Sequence, residues 1–123
     1  MSFAQLGLAD ELVRALTACG YTSPTPIQSE AIPAILSGRD LLAAAQTGTG
    51  KTAGFMLPLL QRLCQPDVAF SQHKSKIRAL ILTPTRELAQ QVCKAAQQYG
   101  KQLRAKVVSI VGGESYQIQN RAM

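Results

Sequence analysis

The sequence predicts an α/β fold, and three observations carry the prediction. Short apolar runs at residues 40–45, 78–83 and 106–111 alternate with stretches of helical period. The connections between them, residues 46–77 and 84–105, both exceed the dozen or so residues that a parallel crossover needs. A glycine-rich segment ending in Gly50-Lys51-Thr52 follows the first run and opens a helical stretch. The expected order is helix, helix, then β–α–β–α–β with a helical tail after Gly113.

Each element has its own local reason. Leu8, Leu12, Val13 and Leu16 share one face of a helix over 8–18 that ends at Gly20. Thr25-Pro26 reads as an N-cap with proline in the first turn, opening a helix that runs to Leu36 and stops at Gly38. Pro33 inside it predicts a bend or an early end. The run at 40–45 is poor in β-branched residues, so the loop behind it, more than propensity, makes it a strand. A helix over 53–63 follows, with Pro58 as a local irregularity. Residues 65–76 are polar, contain Pro66 and read as a surface connection. The runs at 78–83 and 106–111 read as strands. Between them Thr85 caps a helix that continues to Tyr99 and ends at Gly100.

The chain has 123 residues, of which 46% are apolar, so one domain with a real core is expected and disorder is not. No stretch approaches the ~20 consecutive apolar residues of a membrane span. The start shows no basic cluster followed by an apolar run, so no secretory signal is visible. Cys19, Cys64 and Cys93 form no paired motif and His73 is the only histidine, which argues for reduced thiols in a cytoplasmic chain over a disulfide framework or zinc site. The net charge of +6 is scattered and only hints at a polyanionic partner.

Residues Ala45-Gln46-Thr47-Gly48-Thr49-Gly50-Lys51-Thr52 carry the strongest chemical signal. Glycines let backbone N–H groups converge on phosphate oxygens, and the following helix adds its positive dipole end. Lys51 can reach the β- and γ-phosphates of a nucleoside triphosphate, and the Thr52 hydroxyl suits Mg²⁺. Ala45 stands where the general pattern G-x-x-x-x-G-K-[ST] has its first glycine.

Four blocks, taken in order, resemble the DEAD-box RNA helicases in their bacterial branch. Phe3 with Gly20-Tyr21-Thr22-Ser23-Pro24-Thr25-Pro26-Ile27-Gln28 is similar to that family's Q motif. Residues Ala45 to Thr52 match its phosphate loop, alanine included, and Pro84-Thr85-Arg86-Glu87-Leu88-Ala89 matches its motif Ia. Gly112-Gly113 matches its GG element. The resemblance spans essentially the whole chain. It implies a RecA-like parallel sheet flanked by helices, with residues 1–29 as the Q-motif region and 30–123 as the phosphate-loop core.

The resemblance further implies ATP and Mg²⁺ as cofactors and RNA as partner. Lys51 and Thr52 become the catalytic pair and Thr52 the metal ligand. Gln28, whose amide offers a donor and an acceptor, is expected to pair with the N6 and N7 edge of adenine, with Tyr21 stacking on the base and Phe3 supporting by packing. Pro84, Thr85, Arg86, Gly112 and Gly113 are expected against RNA phosphates at the carboxyl edge of the sheet. The family's Asp-Glu-Ala-Asp, which would supply a second Mg²⁺ contact and orient water, does not occur between Met1 and Met123. The chain is therefore expected to be the front portion of an ATP-dependent RNA helicase, lacking the remainder of the core. The alternative is that this piece alone binds adenine nucleotide without hydrolysing it. Missing neighbour strands predict a piece that is marginally stable or self-associating.

Overall fold

The computed structural model describes residues 2–46, 50–64, 77–103 and 105–112. A 3₁₀ turn, Ala4–Leu6, leads into helix α1 (Asp10–Ala18). Helices α2 (Pro26–Leu36), α3 (Lys51–Leu63) and α4 (Arg86–Tyr99) follow, and a second 3₁₀ turn, Lys101–Leu103, comes after α4. The ends of α1 and α2 are set by glycine. Gly20 and Gly38 both adopt φ 86, and each helix closes with paired bonds back to its last turn. For α1 these are Gly20 N–H to the Thr17 carbonyl at 3.0 Å and Tyr21 N–H to the Leu16 carbonyl at 2.9 Å. For α2 they are Gly38 N–H to Ile35 at 3.0 Å and Arg39 N–H to Ala34 at 3.3 Å.

Two helix boundaries differ from expectation. Helix α1 starts at Asp10, leaving Leu8 buried in the segment before it, and α3 starts at Lys51. Neither proline interrupts its helix: α2 continues through Pro33 and α3 through Pro58. Pro58 is fully buried, and the carbonyl its ring crowds belongs to Gly54.

The expected parallel sheet is the main correction. Among the described residues there is no strand: 40–45, 78–83 and 106–111 all run without strand pairing. A strand exists only when a neighbouring segment answers its N–H and C=O groups as a ladder, and no such ladder forms among the described residues. Their side chains agree, with Leu42 fully exposed, Leu80 79% and Leu82 84% exposed. The surface connection at 65–76, Gly113 and the helical tail after it lie outside the described residues.

The core gathers on the helices. Leu12 and Leu16 of α1, Ile32 of α2, Met56, Leu57 and Leu60 of α3, and Val92, Ala96 and Tyr99 of α4 form one cluster with Phe3, Leu6 and Leu8. Helices α2 and α3 make the most extensive contact. They run side by side in the same direction: Gln28 at the start of α2 meets Gly50 at the start of α3, and the Arg62 guanidinium near the end of α3 donates to the Ile35 carbonyl at 3.4 Å. Both N-termini therefore lie at the end where the glycine-rich loop enters α3. No helix among the described residues is long and apolar enough to cross a membrane.

Candidate functional site

Construction of the site begins at Thr25, whose extended backbone (φ −75, ψ 166) precedes the first turn of α2. Its Oγ1 accepts from Gln28 N–H at 3.4 Å, and the Gln28 side-chain Oε1 accepts from Thr25 N–H at 3.0 Å. The reciprocal pair is a capping box, with glutamine at the third helical position. It leaves the Gln28 amide nitrogen pointing at the loop, where Nε2 donates to the Gly50 carbonyl at 3.1 Å. Gln28 is 1% exposed, so both bonds are made in a site largely shut off from water.

Gly50 is required there twice over. Its φ of 86 lies in the left-handed region, and a Cβ would collide with the Gln28 amide. The Gly50 carbonyl takes a second bond, from Gly54 N–H in α3 at 3.0 Å, so both its lone pairs are used. Lys51 and Thr52 then occupy the first turn of α3, Lys51 exposed and Thr52 half-buried. Ala45 is half-buried and Gln46 exposed on the other side of the loop, while Thr47, Gly48 and Thr49 lie outside the described residues.

The remaining expected residues are distributed as follows. Tyr21 is 44% exposed and its hydroxyl hydrogen-bonds Tyr99 at the end of α4. Burial, then this bond, pushes the Tyr99 hydroxyl above its usual range. Phe3 packs within the core. Pro84, Thr85 and Arg86 are exposed at the start of α4, and Thr85 Oγ1 accepts from Leu88 N–H at 3.1 Å as its cap. Gly112 is exposed with open space where a Cβ would be, and Gly113 lies outside the described residues. The structure thus joins the Gln28 turn to the loop, and holds the 84–86 block on a separate helix start.

Two features had not been anticipated. The T-x-x-Q spacing of Thr25 and Gln28 is itself the signature of a capping box, so the internal use of Gln28 was available from sequence. The part played by Gln61 carried no such signal, because its partners lie 52 and 54 residues away.

A helix that follows Gly50 is tied to the capped turn of a neighbouring parallel helix. Solved RecA-like domains share the fold of this chain. A DEAD box protein from Methanococcus jannaschii superposes with a TM-score of 0.87 at 36% identity, covering 99% of this chain and 32% of that one. The RNA helicase Prp28 from Chaetomium thermophilum, solved bound to ADP, superposes at 0.81 with 44% identity over 97% of this chain and 28% of its own. The DEAD/DEAH box helicase family model matches residues 25–123. The chain belongs to that family. It is 48% identical over 123 residues to the ATP-dependent RNA helicase DeaD of Escherichia coli. It is 46% identical over 122 residues to the RNA helicase CrhR of Synechocystis. It covers 99% of itself in both alignments, but spans only 18% and 23% of those proteins.

Proposed function

We propose that the chain is the nucleotide-binding front portion of an ATP-dependent RNA helicase, a cytoplasmic protein that hydrolyses ATP on RNA and separates short duplexes. The observation that carries this reading is the hydrogen bond from the Gln28 amide to the Gly50 carbonyl, because it ties a base-selecting group to the exit of the phosphate loop. A glutamine amide has two N–H donors and two acceptor lone pairs. Gln28 spends one of each on Gly50 and Thr25, and the spare donor and acceptor match N7 and N6 of adenine.

The donor set suits a magnesium nucleotide. Lys51 is exposed at the start of α3, where the helix dipole also favours an anion, and would neutralise the β- and γ-phosphates. The half-buried Thr52 hydroxyl would hold Mg²⁺, which supplies charge compensation for phosphoryl transfer. The Tyr21 ring would lie on the base. Backbone amides from Ala45 to Gly50 would line the phosphates. At the start of α4, Pro84, Thr85 and Arg86 would meet an RNA backbone, with Gly112 and Gly113 approaching it closely. Supporting this reading are the family membership and the ADP bound to the Prp28 neighbour.

Titration of a fluorescent ATP analogue with Mg²⁺ tests the reading. Lys51→Ala should abolish binding, and Gln28→Ala should bring ATP and GTP to similar affinity. Retention of the adenine preference by Gln28→Ala would refute the role given to Gln28.

A further inference from the structure

The carboxamide of Gln61, in the last turn of α3, is committed to the chain's first residues. Its Oε1 accepts from Ala9 N–H at 2.6 Å, and its Nε2 donates to the Gly7 carbonyl at 2.8 Å. One planar side chain thus holds both a donor and an acceptor of a backbone that is distant in sequence. Gly7 adopts φ 96, and a Cβ there would stand 3.4 Å from Leu36 Cδ1 in the last turn of α2. The clamped segment therefore lies across the C-terminal ends of α2 and α3 together. It is also where α1 begins, since the Ala9 carbonyl accepts from Leu12 and Val13 N–H at 3.0 and 3.1 Å.

The opposite end of the same helix pair is tied by Gln28 to Gly50. At the Gln61 end the Arg62 guanidinium also donates to the Ile35 carbonyl of α2, so α3 is tied at both ends. Helix α3 is a stiff rod with Lys51 and Thr52 at one end and Gln61 at the other.

We propose that Gln61 is a positioning residue for the nucleotide site: by clamping Gly7 and Ala9 it sets how α3 seats against α2, and so how tightly the loop end of α3 takes nucleotide. The proposal rests on the function proposed above for that loop. Linkage makes it testable in both directions, because a clamp that favours nucleotide must itself be favoured by nucleotide, to the same degree.

The experiment follows amide hydrogen exchange in the 123-residue chain with and without saturating ATP and Mg²⁺, together with titration of the fluorescent ATP analogue into wild type and Gln61→Met. ATP should slow exchange at Ala9 N–H beyond any slowing at Ala96 N–H in the last turn of α4, which reports general stabilisation. Gln61→Met keeps length and removes both hydrogen-bonding groups, and should weaken binding by about fivefold, the low end of typical coupling between sites. Circular dichroism of the variant separates a lost clamp from a lost fold. Should the variant prove unfolded, the wild-type exchange comparison decides alone. Equal slowing at Ala9 and Ala96 overturns the proposal, as does unchanged affinity in a folded Gln61→Met. A wild-type chain that binds no nucleotide overturns the proposed function, and this inference with it.

Discussion

Two glycines four residues apart in α3 and its cap face the same side chain of α2, and they respond oppositely to a methyl group. At Gly50 a Cβ meets the Gln28 amide and the backbone is left-handed, a conformation that costs an L-residue about 1–2 kcal/mol before any clash. At Gly54 the nearest atoms to a Cβ are Gln28 Cγ at 3.8 Å and the Ala31 Cβ at 3.9 Å, which is ordinary contact. Gly54→Ala should therefore raise stability by about 0.5–1 kcal/mol, through the entropy a helical glycine wastes, and Gly50→Ala should lower it by more than that. Thermal melts of the two variants check the opposed signs. A pH effect belongs to this scale as well. Burial and the Tyr21 bond raise the Tyr99 hydroxyl in the folded state, so its proton is held more tightly there than in the unfolded chain. The resulting stabilisation is complete below the unfolded value near pH 10 and fades as pH climbs from there towards the folded value. Tyr99→Phe should flatten the alkaline decline in melting temperature.

Helix ends were legible in the sequence because their causes are local. Thr25 and Thr85 bond to N–H groups three residues on, and Gly20 and Gly38 close their helices within one turn. Thr85→Ala should accordingly cost about 1 kcal/mol, read as a lower urea midpoint, with α4 fraying first at Arg86–Leu88 by amide exchange. The runs at 78–83 and 106–111 carry the residues strands prefer, yet they form none among the described residues. Propensity cannot supply a neighbour, and a strand is a property of two segments. The site divides the same way: Gly50 and Lys51 were found from a contiguous word, whereas the Gln28–Gly50 bond spans 22 residues and became visible only in three dimensions.

Among the described residues of the whole molecule, the helices make a closed core, and of the apolar runs only Val107 packs against it. Ile77, Leu80, Leu82 and Ile110 are 77%, 79%, 84% and 55% exposed, a set too apolar to remain single in water. An open groove of about 520 Å³ lies beside residues 80–83, lined also by Phe55, Leu59 and Val92 of α3 and α4. The 123-residue chain should therefore self-associate as concentration rises, and its melt should be broad. Light-scattering masses at several concentrations test this, and a constant monomer mass with a sharp melt would contradict it. The net charge of +6 opposes association only weakly at physiological salt, where screening acts within about 8 Å.

The saturated Gly50 carbonyl also sets apart the two ends of the glycine-rich segment. Its exit is moored by two donors, one from its own helix and one from α2. Ala45 and Gln46, at its entrance, follow a run that forms no strand among the described residues. The Gly50 end of this segment is thus held from two sides at once, by its own helix and by the neighbouring one.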